Sequence, residues 1–298
     1  MSKLEFHSGA VALVGRPNVG KSTLLNALLG QKLSIVTPRP QTTRHRVIGL
    51  ANYPGGQIAF VDTPGLHLGQ KRALNRAMNR TAASALADAD LVAMVIEGTR
   101  WTDEDQMVLD RLRSSERPGI AVINKVDNVY PRDRLLPFIA NLAARHPFLD
   151  IVPVSAQKND NLPALIKTLL KHLPAGEAMY PPEMVTDKSE RFRIGEIIRE
   201  KLTLELVEEL PYGIAVEVES VQPTEDGRTE VHAVIYVDRE GQKPIVIGAG
   251  GQRLKRIGRA ARGEMNTLFG KRFHLNLWVK VRENWADDAR ALSQLGLE

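Results

Sequence analysis

As far as about Leu173 the chain alternates short β-rich apolar runs with longer stretches of helical spacing. "GAVALVG" (residues 9–15) reads as a buried strand, and "KSTLLNALLG" (residues 21–30) as a helix closed by a C-terminal glycine. The strands "QIAFV", "LVAMVIEG", "GIAVI" and "DIVPV" follow in turn, interleaved with the helical patterns "RALNRAMNRTAASALADA", "DEDQMVLDRLRSS", "RLLPFIANLAARH" and "NLPALIKTLLKHL". Strand–helix alternation of this kind predicts a mostly parallel α/β sheet covered on both faces, with ligands bound beyond the carboxyl ends of the strands.

The pattern breaks at "LPAGEAMYPPEMVTDKSE" (residues 173–190), which has three prolines and no periodicity. That stretch is expected to be a linker over 176–190, separating a first domain at 1–175 from a second at 191–298. Beyond it the order becomes helix (192–209), strand "IAVEVESVQ", turn, strand "EVHAVIYVD", two helices and strand "FHLNLWVKVRE". This is the grammar of a smaller α+β domain.

Composition changes the picture little. Hydrophobic content of 43% and charged content of 25% are those of a soluble globular chain, and the apolar runs are strand-length, far short of a membrane span. The N-terminus "MSKLEFHSGAVALVG" has no secretion-signal pattern, and the absence of cysteine excludes disulfides and thiolate metal sites. The formal net charge of +5 permits an anionic partner without demanding one.

The chemistry concentrates at strand ends. Gly15, Arg16, Pro17, Asn18, Val19, Gly20, Lys21 and Ser22 match GxxxxGK[ST] between a predicted strand and helix, with Thr23 next. Glycines let the backbone wrap a phosphate, and the helix N-terminus adds aligned N–H groups and partial positive charge. In such a loop Lys21 contacts the terminal phosphates and Ser22 ligates magnesium. Asp62, Thr63, Pro64 and Gly65 follow the strand "QIAFV". An aspartate there can hold magnesium, while Gly65 leaves room for an N–H to approach the γ-phosphate; alone, "DTPG" is also a common turn.

After "GIAVI" come Asn124, Lys125, Val126 and Asp127. A carboxylate at Asp127 can accept two parallel hydrogen bonds from the guanine edge, which adenine does not offer. Asn124 can steady the loop and the base, the Lys125 stem can cover the ring, and Ser155 with Ala156 supplies a further loop whose Ala156 N–H could meet the guanine oxygen.

These pieces, in this order, resemble the translation-factor-like class of P-loop GTPases. The whole chain resembles the Era family, GTPases of small-ribosomal-subunit assembly, through "GRPNVGKSTLLNALLG", "PQTTRHRV", "VDTPGLH", "NKVD" and "SA". The resemblance implies GTP and GDP as ligands. It also implies magnesium held by Ser22, Asp62 and a switch threonine, Thr43 or its neighbour Thr42, with Thr43 preferred. A potassium ion at Asn18 is implied as well. Lys21, Thr43 and Gly65 are then the residues nearest the chemistry. Where Ras-like enzymes place a water-orienting glutamine, this chain has Leu66 followed by His67, so intrinsic hydrolysis is expected to be slow.

In the second half, residues 243–272 carry eight basic residues against one acidic, and residues 196–230 ten acidic against three basic. Within the basic stretch, Gly248, Ala249, Gly250 and Gly251 have GxxG form between a short and a longer predicted helix. The order resembles the type II KH domain of the Era family, whose loop clamps the backbone of single-stranded RNA. Such loops usually hold a basic residue; here Ala249 stands in the loop, leaving Arg253, Lys255 and Arg256 to compensate, with Ile247 and Ile257 either lining a base groove or in the core. By resemblance the RNA is the 3′ end of the small-subunit ribosomal RNA, bound with the small subunit itself as partner. GTP would order the loops around Thr43 and Gly65, and hydrolysis would release them. A GTPase-regulated adaptor meeting an acidic partner or anionic lipid is the rival, which leaves a peripheral seat on the inner face of the cell membrane open beside a cytoplasmic location. A general ATPase is opposed by Asp127.

Overall fold

The computed structural model describes residues 5–40, 42–65, 72–206 and 213–297. The chain divides into two compact units: Met1–Ser34 with Thr43–Lys71 and Asn75–Asp187, and Ile35–Thr42 with Arg72–Leu74 and Lys188–Glu298.

The first unit is a six-stranded sheet in the order β2-β3-β1-β4-β5-β6. Its strands are β1 (His7–Val14), β2 (Val47–Tyr53), β3 (Gly56–Asp62), β4 (Leu91–Glu97), β5 (Gly119–Asn124) and β6 (Ile151–Pro153). All neighbours run parallel except β2, which pairs antiparallel with β3. Alternation along β1 sends Val11 and Leu13 to one face, where helices α1 (Lys21–Leu29) and α5 (Leu162–His172) pack. Ala12 and Val14 go to the other, under α2 (Ala73–Asp88), α3 (Asp103–Ser115) and α4 (Leu135–Arg145). Both faces are thus dry, which accounts for the near-continuous apolar runs of the central strands.

The pattern of apolar runs passes over β2, because Gly49 interrupts "VIGLANY". The interruption has a packing reason. A Cβ at Gly49 would lie 2.7 Å from Leu29 Cδ1 and 3.0 Å from Leu25 Cδ1, so α1 reaches this strand only across a residue without a side chain.

The expected linker differs more. Residues 176–187 belong to the first unit. Gly176 N–H donates to Phe6 O (2.9 Å), Tyr180 exchanges two bonds with the buried Gln57 amide (2.8 and 2.9 Å), and Leu50 N–H donates to Val185 O (2.8 Å). A proline-rich segment without periodicity cannot satisfy its own backbone, and here it does so along edge strand β2, which it covers.

The second unit has α6 (Glu190–Glu205), β7 (Ile214–Pro223), β8 (Thr229–Val237), α7 (Lys243–Ile247), α8 (Gln252–Phe269), β9 (Phe273–Val281) and α9 (Ala289–Gln294). Its three-stranded sheet runs β7-β8-β9, antiparallel then parallel. Ile194, Ile198 and Leu202 of α6 and Ile257, Ala261 and Met265 of α8 share its core.

Gly49→Val tests the packing of α1 on β2: thermal unfolding should show a loss of about 1–3 kcal/mol, the range for overpacking a filled core. An unchanged melting temperature would show that the leucines yield at no cost.

Candidate nucleotide site and glycine loop

The sheet order reverses at β1, whose neighbours β3 and β4 follow it in sequence on opposite sides, and the predicted site residues lie at the carboxyl ends around that point. The loop from Gly15 to Gly20 leads from β1 into α1. Gly20 has φ +96, and a Cβ there would stand 2.4 Å from Asn124 Nδ2, so both backbone and space require glycine. Lys21 is buried and donates to Gly15 O (2.9 Å) and Arg16 O (3.1 Å). Burial lowers its pKa to about 8, against the opposing pull of Asp62.

Ser22 Oγ lies 2.9 Å from Asp62 Oδ2 and 2.8 Å from Thr43 Oγ1, and Thr43 Oγ1 lies 3.5 Å from the same carboxylate oxygen. Asp62 is fully buried, and its Oδ1 has no hydrogen-bond partner among the described residues. Burial raises the Asp62 carboxyl pKa, with Lys21 and the Ser22 bond pulling it back. Two hydroxyl oxygens beside a buried carboxylate fit a small hard cation such as magnesium. Thr42, by contrast, is occupied in its own turn: its Oγ1 lies 2.6 Å from Thr37 Oγ1 and donates to Arg39 O at 2.7 Å. Geometry therefore separates the two neighbours, and only Thr43 faces Ser22 and Asp62. Thr63 anchors the start of the following loop through a bond to Leu13 O (2.9 Å). Pro64 and Gly65 are buried, and a Cβ on Gly65 would come within 3.0 Å of Pro17 N. Leu66 and His67 lie outside the described residues.

The buried Asn124 spends its amide on two other loops, donating to Val19 O (2.9 Å) and accepting from Ala156 N–H (3.0 Å). The Ala156 N–H, expected to face guanine, is thus taken by Asn124 in this structure. Ser155 Oγ donates to Asp127 Oδ1 (2.6 Å), orienting a carboxylate that is otherwise exposed. Lys125, held with φ +61, donates to Asn18 O (2.6 Å) and to Glu97 Oε1 (2.8 Å). The Asn18 side of this contact sits at the exposed tip of the phosphate loop.

Arg16 does not extend toward the phosphate position. Its guanidinium is buried against Glu97 (2.6 Å) and Asp105 (3.2 Å). Neither acid figures among the residues expected from the sequence. A T-x-x-D capping box at the start of α3, from Thr102 to Asp105, was the available signal for one of them.

In the second unit, Gly248–Gly251 joins α7 to α8. Gly248 has φ +72, and a Cβ there would meet Arg253 Cβ at 2.6 Å; Gly250 and Gly251 also have positive φ, with open space around them. Arg253 is turned back to Ile245 O (2.7 Å), and Arg256 pairs with Glu205. Lys255 is exposed, and so are Arg259 and Arg262, at helical spacing along the same face of α8. Ile257 is core and lines no groove.

A strand-to-helix phosphate loop, a buried aspartate beside the magnesium-type hydroxyls and an NKxD base loop define a P-loop GTPase domain, here joined in one chain to a helix–GxxG–helix domain of KH type. Family comparison agrees: residues 10–125 match the family described as 50S ribosome-binding GTPase, and residues 209–286 match the KH domain. The chain is 52% identical over 290 residues to the GTPase Era of Actinobacillus pleuropneumoniae serotype 5b (97% of this chain, 95% of that one) and 51% identical over 296 residues to that of Glaesserella parasuis serovar 5 (99% of each). It belongs to the Era GTPase family. Two solved structures are similar at TM-score 0.94 and 41% identity, each covering 98% of this chain and 99% of the other. They are Aquifex aeolicus Era bound to GDP·AlF4−, and Era with MgGDPNP and nucleotides 1506–1542 of 16S ribosomal RNA.

The lowered Lys21 pKa has a readable consequence. With its pKa lowered to about 8, Lys21 is expected to lose its charge in the free site above that pH and to regain it beside bound phosphate. The Kd for GDP should therefore be flat near neutrality and rise above pH 8, toward about tenfold per unit. Fluorescent-GDP titration, kept below the pH at which guanine ionises, measures this. A flat profile would mean that Lys21 keeps its proton without phosphate.

Proposed function

We propose that the chain is a GTP-hydrolysing switch that also binds single-stranded RNA, the 3′ end of small-subunit ribosomal RNA, during assembly of the small ribosomal subunit. The observation that carries the reading is the convergence of Ser22, Thr43 and Asp62 beside buried Lys21, in a chain of the Era family. Ser22, Thr43 and Asp62 would hold magnesium, which when bound neutralises charge on the β- and γ-phosphates. Residues Gly15 to Thr23 wrap the phosphates through backbone N–H groups, and Lys21 exchanges the carbonyls of its own loop for phosphate oxygens. The N–H of Gly65 would meet the γ-phosphate. Asp127, steadied by Ser155, reads guanine, and the Lys125 stem covers its ring.

Hydrolysis is slow by this reading, because leucine at position 66 has no polar group to orient water. Asn18, exposed at the loop tip, is the side chain that would hold a potassium ion near the bridging oxygen. RNA binding belongs to the Gly248–Gly251 loop and α8. With Arg253 and Arg256 already engaged, Lys255 is the exposed cation nearest the loop, and the exposed Arg259 and Arg262 extend its charge. The solved Era complex with 16S ribosomal RNA supports this choice of partner. No helix among the described residues is long and apolar enough to cross a membrane.

Asp127→Asn should weaken GTP binding by about a hundredfold or more and favour xanthosine nucleotides, because an amide presents a donor where the carboxylate presents an acceptor. Retained GTP affinity in a competition assay would remove Asp127 from base reading. On the RNA side, Lys255→Gln with Arg259→Gln should weaken binding of a single strand bearing the 3′-terminal sequence. The log–log salt slope should fall by about 0.7 for each RNA phosphate that the variant no longer neutralises. A slope equal to wild type would place the RNA elsewhere.

A further inference from the structure

Two acids outside the residues assigned above, Glu97 and Asp105, tie Arg16 and Lys125 into an ionic cluster that touches both nucleotide-binding loops. At its centre is Glu97, the last residue of β4, beside Asn124 in register. Each oxygen of its carboxylate takes a cation from a different loop. Oε2 accepts from Arg16 Nη2 of the phosphate loop (2.6 Å), and Oε1 accepts from Lys125 Nζ of the base loop (2.8 Å).

Both cations are held at a second point. Arg16 Nε reaches Asp105, which is fully buried and fixed by Thr102 N–H (2.9 Å) and Thr102 Oγ1 (2.8 Å). Lys125 Nζ also donates to Asn18 O (2.6 Å), returning to the phosphate loop. Arg16 O in turn accepts from Lys21 (3.1 Å). The lysine that serves the phosphates and the lysine that serves the base are therefore linked by a continuous path: Lys21, Arg16, Glu97, Lys125. Burial opposes ionisation of Glu97, yet the bonds from Lys125 and Arg16 outweigh it and hold its carboxyl below the usual range.

We propose that Glu97 is a positioning residue for guanine-nucleotide binding: its carboxylate locks Lys125 over the base position and Arg16 beneath the phosphate loop, so that the two half-sites hold one geometry. Both of its carboxylate oxygens are taken by these two cations. An ammonium group released from Glu97 would sample many rotamers, and its stem would no longer be prepared to cover a ring. A carboxylate shared by two cations is also more costly to break than a simple surface pair, since removing it leaves a buried guanidinium with one partner fewer. The inference rests on the guanine-nucleotide reading given above.

Glu97→Gln keeps the shape and removes the charge. The expected result is an increase of about tenfold in KM and in Kd for GDP, with kcat within about twofold, the pattern of lost ground-state binding. The decisive measurement is a double-mutant cycle with Lys125→Met, reading fluorescent-GDP affinity. If Glu97 acts through Lys125, the double variant binds about as well as Lys125→Met alone. If the two losses multiply, Glu97 contributes only to general stability and the proposal is overturned; an unchanged Kd for Glu97→Gln overturns it too. Should Glu97→Gln fail to fold, the cycle between Arg16→Lys and Lys125→Met reads the same bridge from its ends, and additive losses there reject it. Failure of the wild-type chain to bind fluorescent GDP would instead sink the guanine-nucleotide reading itself.

Discussion

The nucleotide site is built around a single buried amide. Asn124 sits at the end of β5, fully inside the unit, with its Nδ2 on Val19 O and its Oδ1 on Ala156 N–H. No other side chain type offers a donor and an acceptor in this fixed geometry at this length. A net hydrogen bond contributes only about 1 kcal/mol, but each buried partner left unmade costs about 1–3 kcal/mol. Removing the amide would strand a carbonyl in the phosphate loop and an N–H in the Ser155–Ala156 loop together. The Gly15–Gly20 loop and the Ser155–Ala156 loop therefore share one support, and Gly20 lacks a side chain because Asn124 fills the space where its Cβ would be.

Charge around that support is arranged to be tolerated before any ligand arrives. Lys21 and Asp62 are both deeply buried, and each is pushed by desolvation toward its neutral form while the other resists. Lys21 rests meanwhile on two carbonyls of its own loop, and Asp62 on Ser22, leaving one carboxylate oxygen without a partner among the described residues. A polyphosphate with a divalent cation would answer both demands at once, placing negative charge beside the lysine and positive charge beside the aspartate. Arg16, Glu97, Asp105 and Lys125 form a second ionic layer beneath, whose charges are paired within the protein and so need no ligand.

The second unit follows a different physical logic. Its glycine loop leaves the backbone open at Gly250 and Gly251, with nothing within 4 Å of where a Cβ would stand, while Gly248 is closed off by Arg253. Open backbone suits close approach by a sugar–phosphate chain. Two of the three cations expected to compensate for Ala249 are spent inside the unit, Arg253 on a carbonyl and Arg256 on Glu205. The exposed cations Lys255, Arg259 and Arg262 thus lie along α8 rather than within the loop itself.

Local patterning was sufficient for much of this. The spacing GxxxxGK[ST], the carboxylates at 62 and 127, the boundaries of α3 and α5 and the helix–GxxG–helix order all follow from short-range rules of turn chemistry, capping and apolar period, because the residues that express them are neighbours in the chain. What escaped those rules depends on contacts between distant segments. β2 was hidden by Gly49, whose reason is a leucine of α1. The proline-rich stretch 176–187 resembles a linker until its backbone finds β2 and the Gln57 amide. Thr43 is preferred to Thr42 by resemblance alone, and that its hydroxyl lies beside Ser22 and Asp62 is visible only in the folded chain. The pairing of Glu97 with Arg16 and Lys125 joins residues 81 and 28 positions apart. Sequence alone determined the kind of chemistry and the elements that bear it; tertiary structure decided which side chains are free for a ligand and which are already bound to one another, since that is settled by burial and distance between parts the chain order keeps apart.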